Sequence, residues 1–390
     1  MSYSTLQLKS GKLQSIQRRH PWIFSGALQH IPVEMQDGQK IYVSDQQGNI
    51  LATGHFGSAS IAVRILAFEK MEITAAHYET KLREALAIRS SARLTENTET
   101  NAYRLVHGEG DQLPGLIIDY YNGVVVLQAH SAGMMADAEL IKEALAAVYG
   151  SSLKEVIVKS AEKGLETILD SEQTAEVEIL EHGVKFKVDV ARGQKTGFFL
   201  DQRENRALLA KYAQGRKVLN SFCYSGGFSM YALRAGAEAV HSIDSSKLAM
   251  SLVEANLELN GFQTLEHESL QGDALTYLSS EEAGNAGYDL IVLDPPAFAK
   301  HISARHKAVQ AYKRLNARAL RILKPNGILF TFSCSQVVDT QLFEHTIAAA
   351  AIEAGRNVRI LHHLHQPEDH PVSIFHPEGS YLKGLVLAVS

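Results

Sequence analysis

Cysteine is scarce, with two residues in a chain of 390. That excludes a disulfide framework and points to a reducing compartment. Long apolar runs are missing as well. None reaches the ~18 residues that a membrane-spanning helix needs, and the opening stretch MSYSTLQLKSGKLQSIQRRH lacks the apolar centre of a signal peptide. A cytoplasmic protein without a membrane partner is expected. Positive charge is not in excess: 38 Lys and Arg stand against 43 Asp and Glu, a net of −5. Internal repeats and low-complexity segments are absent. So are HExxH and the spacings of structural zinc sites. His362, His363, His365, His370 and His376 are therefore read as substrate-groove residues, with no metal expected.

What is present suits an ordinary globular chain. Its 45% hydrophobic and 21% charged content falls in the usual range, and its length suits two or three domains. The charge is uneven. Residues 1–70 carry seven Lys and Arg against four Asp and Glu, a net of +3, which leaves −8 for the remainder. A small basic module on an acidic body is compatible with RNA contact at one end. Short strands separated by turns fill 1–70 and suggest a small β-barrel. Within it, Arg18 and Arg19 beside Trp22, the only tryptophan, are suited to hold a phosphate and stack a base. The competing reading puts Trp22 and Phe24 in the core and the arginines on a solvated edge.

Residues 71–95 read as an amphipathic helix, with Tyr78, Leu82, Ala85, Leu86 and Ile88 near helical spacing. Strands follow around 103–107, 115–121 and 124–129, the last two joined by the hairpin signal Asn122-Gly123. A helix over 136–149 and a strand over 155–159 complete an α+β segment. The turn Gly108-Glu109-Gly110-Asp111 reads as exposed, with no chemistry. The alternating stretch 177–191 reads as a hairpin leading onward.

The rest of the chain is organised around 192–228: a polar loop, a helix, then a strand over 217–222 that runs into Gly226-Gly227. Paired glycines between a strand and a helix admit a ligand to the backbone, and the helix start offers free N–H groups. The third glycine of a GxGxxG fingerprint is missing, since Met230 stands there. That favours a nucleoside ligand without a pyrophosphate, such as S-adenosylmethionine. A second strand over 239–243 meets Asp244, 18 residues after Gly226, where a carboxylate suits a ribose diol. A helix over 247–260 follows. Asp273, after a third strand, is placed to reach an adenine amino group. The strand over 288–293 is of the buried parallel kind and ends in Asp294-Pro295-Pro296-Ala297-Phe298. A helix over 307–323 stops at Lys324-Pro325-Asn326-Gly327, and a strand over 328–332 leads to Ser333-Cys334-Ser335. A helix over 339–354 and two final strands, 357–361 and 384–389, close an antiparallel edge. The order describes a doubly wound sheet with its ligand loops at the strand C-termini.

Cys334 is the chemical candidate, just past a buried strand where this fold hosts catalysis. A thiolate there is suited to attack C6 of a pyrimidine and make C5 nucleophilic toward a methyl sulfonium, a base later removing the C5 proton. Asp294 is suited to hydrogen-bond the ring N3. The competing reading is a buried cysteine serving as a small hydrophobe. Cys223 reads as packing beside the ligand.

Six motifs in order, HPWIFSGAL, GQKTGFFLDQRENR, NSFCYSGGF, LDPPAFAK, SCS and HPEGSYLKG, make nearly the whole chain resemble the bacterial ribosomal RNA large-subunit methyltransferase I family, whose members make 5-methylcytosine. The resemblance implies an α/β multidomain protein: an N-terminal PUA β-barrel (1–70), a central α+β domain (71–176), and a hairpin linker with a Rossmann-like class I methyltransferase domain (177–390). It implies S-adenosylmethionine as cofactor and ribosomal RNA as partner, and it leaves a homodimer open. By resemblance, Lys195, Phe199, Asp201, Gln202 and Arg203 belong to the loop over the cofactor. Asn220, Tyr224 and Gly226 line its methionine end, with Phe222 among them. Asp244, beside Ser245, takes the ribose, and Asp273, beside Ala274, the adenine. Asp294 borders the site, and Cys334 matches the nucleophile. One departure stands out: the DPPAF loop lacks the second cysteine that many RNA cytosine methyltransferases use in product release, so another base must serve or the chemistry is broader. Two alternatives remain. One is methylation of a purine nitrogen by DPPAF acting as a (D/N)PP(Y/F) loop. The other is a non-catalytic RNA-binding assembly factor, against which Asp244, Asp273 and Asp294 argue.

Overall fold

A computed structural model describes residues 3–160 and 176–390. Residues 161–175, inside the expected central domain, lie outside the described residues. The chain divides into two compact units. One comprises Met1–Ile179, Val188–Leu200 and Glu368–Gly379, the other Leu180–Lys187, Asp201–Pro367 and Ser380–Ser390. The chain passes from the first to the second within a hairpin, Glu176–Glu181 and Val184–Asp189, turning at His182 and Gly183, both with positive φ.

The first unit holds two sheets. Its five-stranded sheet runs Ser4–Gln7, Lys40–Ser44, Ile50–Phe56, Ile61–Ala67, Trp22–Phe24 in spatial order. The first pair is parallel and the others antiparallel. Strand alternation sends Leu6, Ile41, Val43, Val63 and Ile65 into one apolar core with Ile23 and Leu28. The four-stranded sheet runs Ala102–His107, Leu116–Tyr121, Val124–Ala129, Glu155–Ser160. Its hairpin turns at Asn122 (φ 49°) and Gly123 (φ 96°), the left-handed pair that a tight primed turn demands. Helices Ala75–Ser91 and Ala138–Tyr149 cover this sheet through Tyr78, Leu82, Ala85, Ile141 and Leu145.

Two expectations need correction here. The first helix spans 75–91 rather than 71–95, beginning after the extended Thr74 and ending before the left-handed Arg93 (φ 58°). Its buried stripe continues through Arg89, fully buried, and not through Ile88, which is 43% exposed. The turn Gly108–Asp111 is also not an exposed one. Asp111 is buried and takes Arg89 in a two-point ion pair, Nη1 to Oδ1 at 2.5 Å and Nη2 to Oδ2 at 2.7 Å. Arg89 donates further to the carbonyls of Arg104 and Asp369. An arginine tolerates a core position only when its donors are met in this way. Glu109, in the same turn, accepts the Trp22 indole N–H at 2.9 Å.

The second unit is a seven-stranded sheet in the spatial order His267–Gln271, Ala239–Asp244, Lys217–Ser221, Tyr288–Leu293, Leu323–Ser333, Lys383–Val389, Val358–His365. The first five strands are parallel, and Lys383–Val389 runs antiparallel to both neighbours. Leu290, Ile291, Val292 and Leu293 are all fully buried, as a strand covered on both faces requires. Strand order reverses between Lys217–Ser221 and Tyr288–Leu293, so a crevice opens past Ser221 and Leu293 at the topological switch point. The fifth strand is longer than the expected 328–332. Helix Arg305–Ile322 stops before Lys324-Pro325-Asn326-Gly327, but the chain enters the sheet at once, at Leu323. Pro325, which has no N–H, and the left-handed Asn326 (φ 65°) fall where the register shifts between Tyr288 and Leu290.

Candidate active site

The loop past Lys217–Ser221 is unusual backbone. Phe222 (φ 60°), Tyr224 (φ 48°) and Gly226 (φ 77°) are all left-handed, a conformation that costs a non-glycine residue about 1–2 kcal/mol. A Cβ on Gly226 would stand 3.2 Å from Val253 Cγ2. The loop is braced by Asp244, whose Oδ2 accepts the Tyr224 N–H (3.0 Å) and whose Oδ1 accepts the Ser246 N–H (2.9 Å). Asn220 is buried beneath it. Its Nδ2 donates to Ser229 Oγ at 2.9 Å, while its Oδ1 has no partner among the described residues. Behind it, Ser229 Oγ meets Ser242 Oγ (2.6 Å), which meets His267 Nε2 (2.8 Å). Burial pushes His267 down to about 4, so the ring is neutral at pH 7. Asp273 is exposed and caps the next helix, Oδ1 accepting the Thr276 N–H at 2.7 Å. Ser245 is exposed and Ala274 buried.

At the neighbouring strand end, Asp294 is half-buried and its Oδ2 accepts from Gln202 Nε2 at 3.0 Å. Gln202 Oε1 in turn accepts from Asn205 Nδ2 at 2.6 Å. Asn205 was not among the expected residues. Its three-residue spacing from Gln202 at the start of helix Arg203–Ala213 was the available signal. Asp201 Oδ2 accepts the Tyr381 hydroxyl at 2.6 Å. Arg203 is fully buried with Nε 3.8 Å from Glu181, a carboxylate that Arg206 also grips with two bonds of 2.7 Å.

Cys334 stands past Leu323–Ser333. The serines on either side are fully buried, yet Cys334 is partly exposed, and its Sγ lies 4.0 Å from the Pro295 carbonyl oxygen. The SCS segment and the Asp294 loop therefore meet. Ser335 Oγ is held by the Tyr312 hydroxyl (2.9 Å) and the Ala299 N–H (3.4 Å). Cys223 is the opposite case: buried against Met250, with burial raising its thiol well above the ordinary range. It stays protonated at neutral pH.

The remaining expected residues lie in the first unit. Lys195 is exposed and left-handed (φ 55°), with Nζ 4.8 Å from the Phe199 ring centroid. Arg18 and Arg19 are exposed, and Arg19 lies 5.5 Å over Phe68. Trp22 is half-buried, 4.4 Å from the His376 ring. Phe24 is 50% exposed rather than core, because Trp22–Phe24 is a sheet edge whose alternation buries only Ile23. Among the described residues, His20, His376 and Glu378 form the one group whose potential metal-ligand atoms lie within 4.8 Å of one another. The other histidines of the C-terminal stretch disperse: His362 bonds Tyr212, His363 faces Glu344, and His370 bonds Asp369.

A parallel sheet whose order reverses above an Asn-loop-Asp pair defines a class, and comparison with known proteins gives the same one. Residues 104–379 match the family described as S-adenosylmethionine-dependent methyltransferase, and residues 6–68 match a PUA-like domain. Two structures share the fold at a TM-score of 0.85 and 23% identity over at least 99% of both chains. One is a Streptococcus mutans protein designated a SAM-dependent methyltransferase, the other a methyltransferase complexed with SAH. The protein is thus an S-adenosylmethionine-dependent methyltransferase with an N-terminal PUA-like domain. Proteins named ribosomal RNA large subunit methyltransferase I are 38% identical in Aeromonas hydrophila, over 98% of this chain and 99% of that one. In Klebsiella pneumoniae the figures are 38%, 99% and 98%, and in Pseudoalteromonas atlantica 40%, 99% and 99%. The chain belongs to the ribosomal RNA large subunit methyltransferase I family. Its residues fit the cofactor, since the buried Asn220 Oδ1 has an acceptor to offer and the loop above it carries no Cβ at Gly226. Among the described residues, no helix is long and apolar enough to cross a membrane.

Proposed function

We propose that the protein methylates carbon 5 of a cytosine in large-subunit ribosomal RNA, with Cys334 as nucleophile. The relatives' shared name points to the RNA. The observation that carries the chemistry is a partly exposed thiol lying 4.0 Å from the carbonyl of Pro295, the residue after Asp294, whose carboxyl group Gln202 holds in place.

S-adenosylmethionine supplies an electrophilic methyl group on a sulfonium. The proposed residues around it are Asn220, Phe222, Tyr224 and Gly226 at the methionine end, Asp244 and Ser245 at the ribose, and Asp273 and Ala274 at the adenine. Lys195, Phe199, Asp201, Gln202, Arg203 and Asp294 complete the set. The strained loop supports this reading, because left-handed residues cluster where a backbone is shaped for a ligand. The Cys334 thiolate forms a bond to C6, and the electron pair of the C5–C6 double bond moves toward N3, where Asp294, entering the step as the neutral carboxylic acid, delivers its proton and becomes a carboxylate. C5 then takes the methyl group. Loss of the C5 proton to a base restores the double bond and expels the thiolate, and N3 returns its proton to Asp294.

For the RNA we propose Arg18, Arg19 and Trp22 on a domain spanning 1–70, with 71–176 and 177–390 as the following domains. The exposed arginines and the net +3 charge of 1–70 support this, as does the indole fixed by Glu109. The proposed setting is the cytoplasm.

Cys334→Ala tests the reaction. With radiolabelled cofactor and large-subunit RNA, the variant is expected to give no 5-methylcytosine while binding cofactor like the wild type in calorimetry. Wild-type activity in the variant would instead favour attack by a purine nitrogen held in the Asp294-Pro295-Pro296-Ala297-Phe298 loop.

A further inference from the structure

The HPEGSYLKG motif contains a lysine to which neither the cofactor nor the base assigns a task. Lys383 opens the strand Lys383–Val389, directly opposite Ser333 in the antiparallel register, the residue before Cys334. Lysine is rarely buried, yet Lys383 is only 8% exposed. Its Nζ donates to the carbonyl oxygen of Ser335, the residue after Cys334, at 2.9 Å. The lysine therefore spans the SCS segment from its strand partner to the far side of the cysteine. The next residue, Gly384, lies so close to Phe332 that a Cβ there would come 2.5 Å from Cδ1. Burial pulls the ammonium down to about 8, and the groups that pull it back up are Cys334 first and Asp339 second. Tyr312, whose phenol burial raises, faces Cys334 from the adjoining helix. His365, opposite Lys383 on the other neighbouring strand, turns its Nδ1 to the Gln366 carbonyl at 2.8 Å.

We propose that Lys383 is the counter-charge that holds Cys334 as a thiolate. The inference rests on the reading of Cys334 as nucleophile, and gives that reading what it needs, since only a thiolate attacks. Lys383 is a positioning residue: it touches the SCS segment and acts through the sulfur. A positive charge there favours the ionised thiol, and the thiolate in turn favours the charged lysine, so each stabilises the other's charge. Asp339 is the second, weaker anion in the group. When the thiolate has bonded to C6 its charge is gone, and its departure from C6 restores the pair.

The test is alkylation of Cys334 by iodoacetamide across pH, read by peptide mass so that Cys223 is scored separately. In the wild type, Cys334 should reach half-maximal rate at a lower pH than glutathione treated alongside. Lys383→Met should slow Cys334 alkylation about tenfold at pH 7, equivalent to raising the midpoint by about one pH unit. Lys383→Arg should restore it, because the charge returns. A wild-type midpoint at or above that of glutathione overturns the proposal, and so does a Lys383→Met midpoint equal to the wild type. If Lys383→Met fails to fold, the wild-type midpoint still decides. Failure of the methylation reading looks different: Cys334→Ala keeps activity, whatever the alkylation profile.

Discussion

A buried ammonium that loses its anion should weaken the fold, and the sign of that effect can be read against pH. Lys383 titrates near 8 in the folded chain against an ordinary 10.5. Between these values the unfolded chain binds the proton that the folded one gives up. Stability from this group therefore rises with pH across that window, and below about 8 the full penalty is present. The gap of about 2.5 pH units corresponds to at most roughly 3 kcal/mol. Lys383→Met removes the penalty and loses a hydrogen bond worth about 1 kcal/mol at every pH. The comparison is cleanest in a Cys334→Ala chain. There Cys223 is the only thiol, buried in the same unit, so its pulse alkylation in urea reports the opening of that unit alone. Without the cysteine the lysine is pulled up by Asp339 only, which deepens its penalty. Lys383→Met is expected to open at higher urea than its Cys334→Ala parent at pH 7, with most of the advantage gone by pH 10. An advantage of equal size at both pH values refutes the reasoning.

Three further outcomes are expected. Asp111→Ala leaves the fully buried Arg89 without its carboxylate and should destabilise by about 3–5 kcal/mol in thermal melts, whereas Arg89→Met combined with Asp111→Leu should recover most of the loss. Gly384→Ala forces a methyl against Phe332, 2.5 Å from Cδ1, and should destabilise by about 1–3 kcal/mol, relieved by Phe332→Leu. Asn220→Leu removes a buried acceptor that has no partner among the described residues and should weaken S-adenosylmethionine binding at least tenfold, about 1.4 kcal/mol, in calorimetry.

The sheet of the second unit was legible because its signals are local. Apolar runs such as Leu290–Leu293 mark strands buried on both faces, and the turn at Gly226 and the carboxylates Asp244 and Asp294 mark their C-terminal ends. The helix Lys247–Asn260 matches its expected bounds for the same reason, with Ser246 capping one end and the left-handed Gly261 closing the other. What escaped was long-range and polar. Arg89 sits at the periodic place of a core residue, and only its partner, Asp111, 22 residues on, reconciles the charge with burial. Asn205, Gln202 and Asp294 form one chain of hydrogen bonds across 92 positions of sequence. Nothing local marks Lys383 as buried; its place opposite Ser333 follows from strand register alone. Periodicity reports which face of an element is apolar; it does not report which charge waits on the other side of a core.

The central claim is a bond between the sulfur of Cys334 and C6 of a cytosine, and the most direct measurement traps that bond. A large-subunit RNA substrate carrying 5-fluorocytosine accepts the thiolate and the methyl group but offers no C5 proton to remove, so the adduct cannot collapse. Wild-type protein with S-adenosylmethionine is expected to give a protein–RNA species that survives denaturing electrophoresis, and Cys334→Ala none. A wild type that forms no adduct while still methylating unmodified RNA, or an adduct of equal yield from Cys334→Ala, contradicts it.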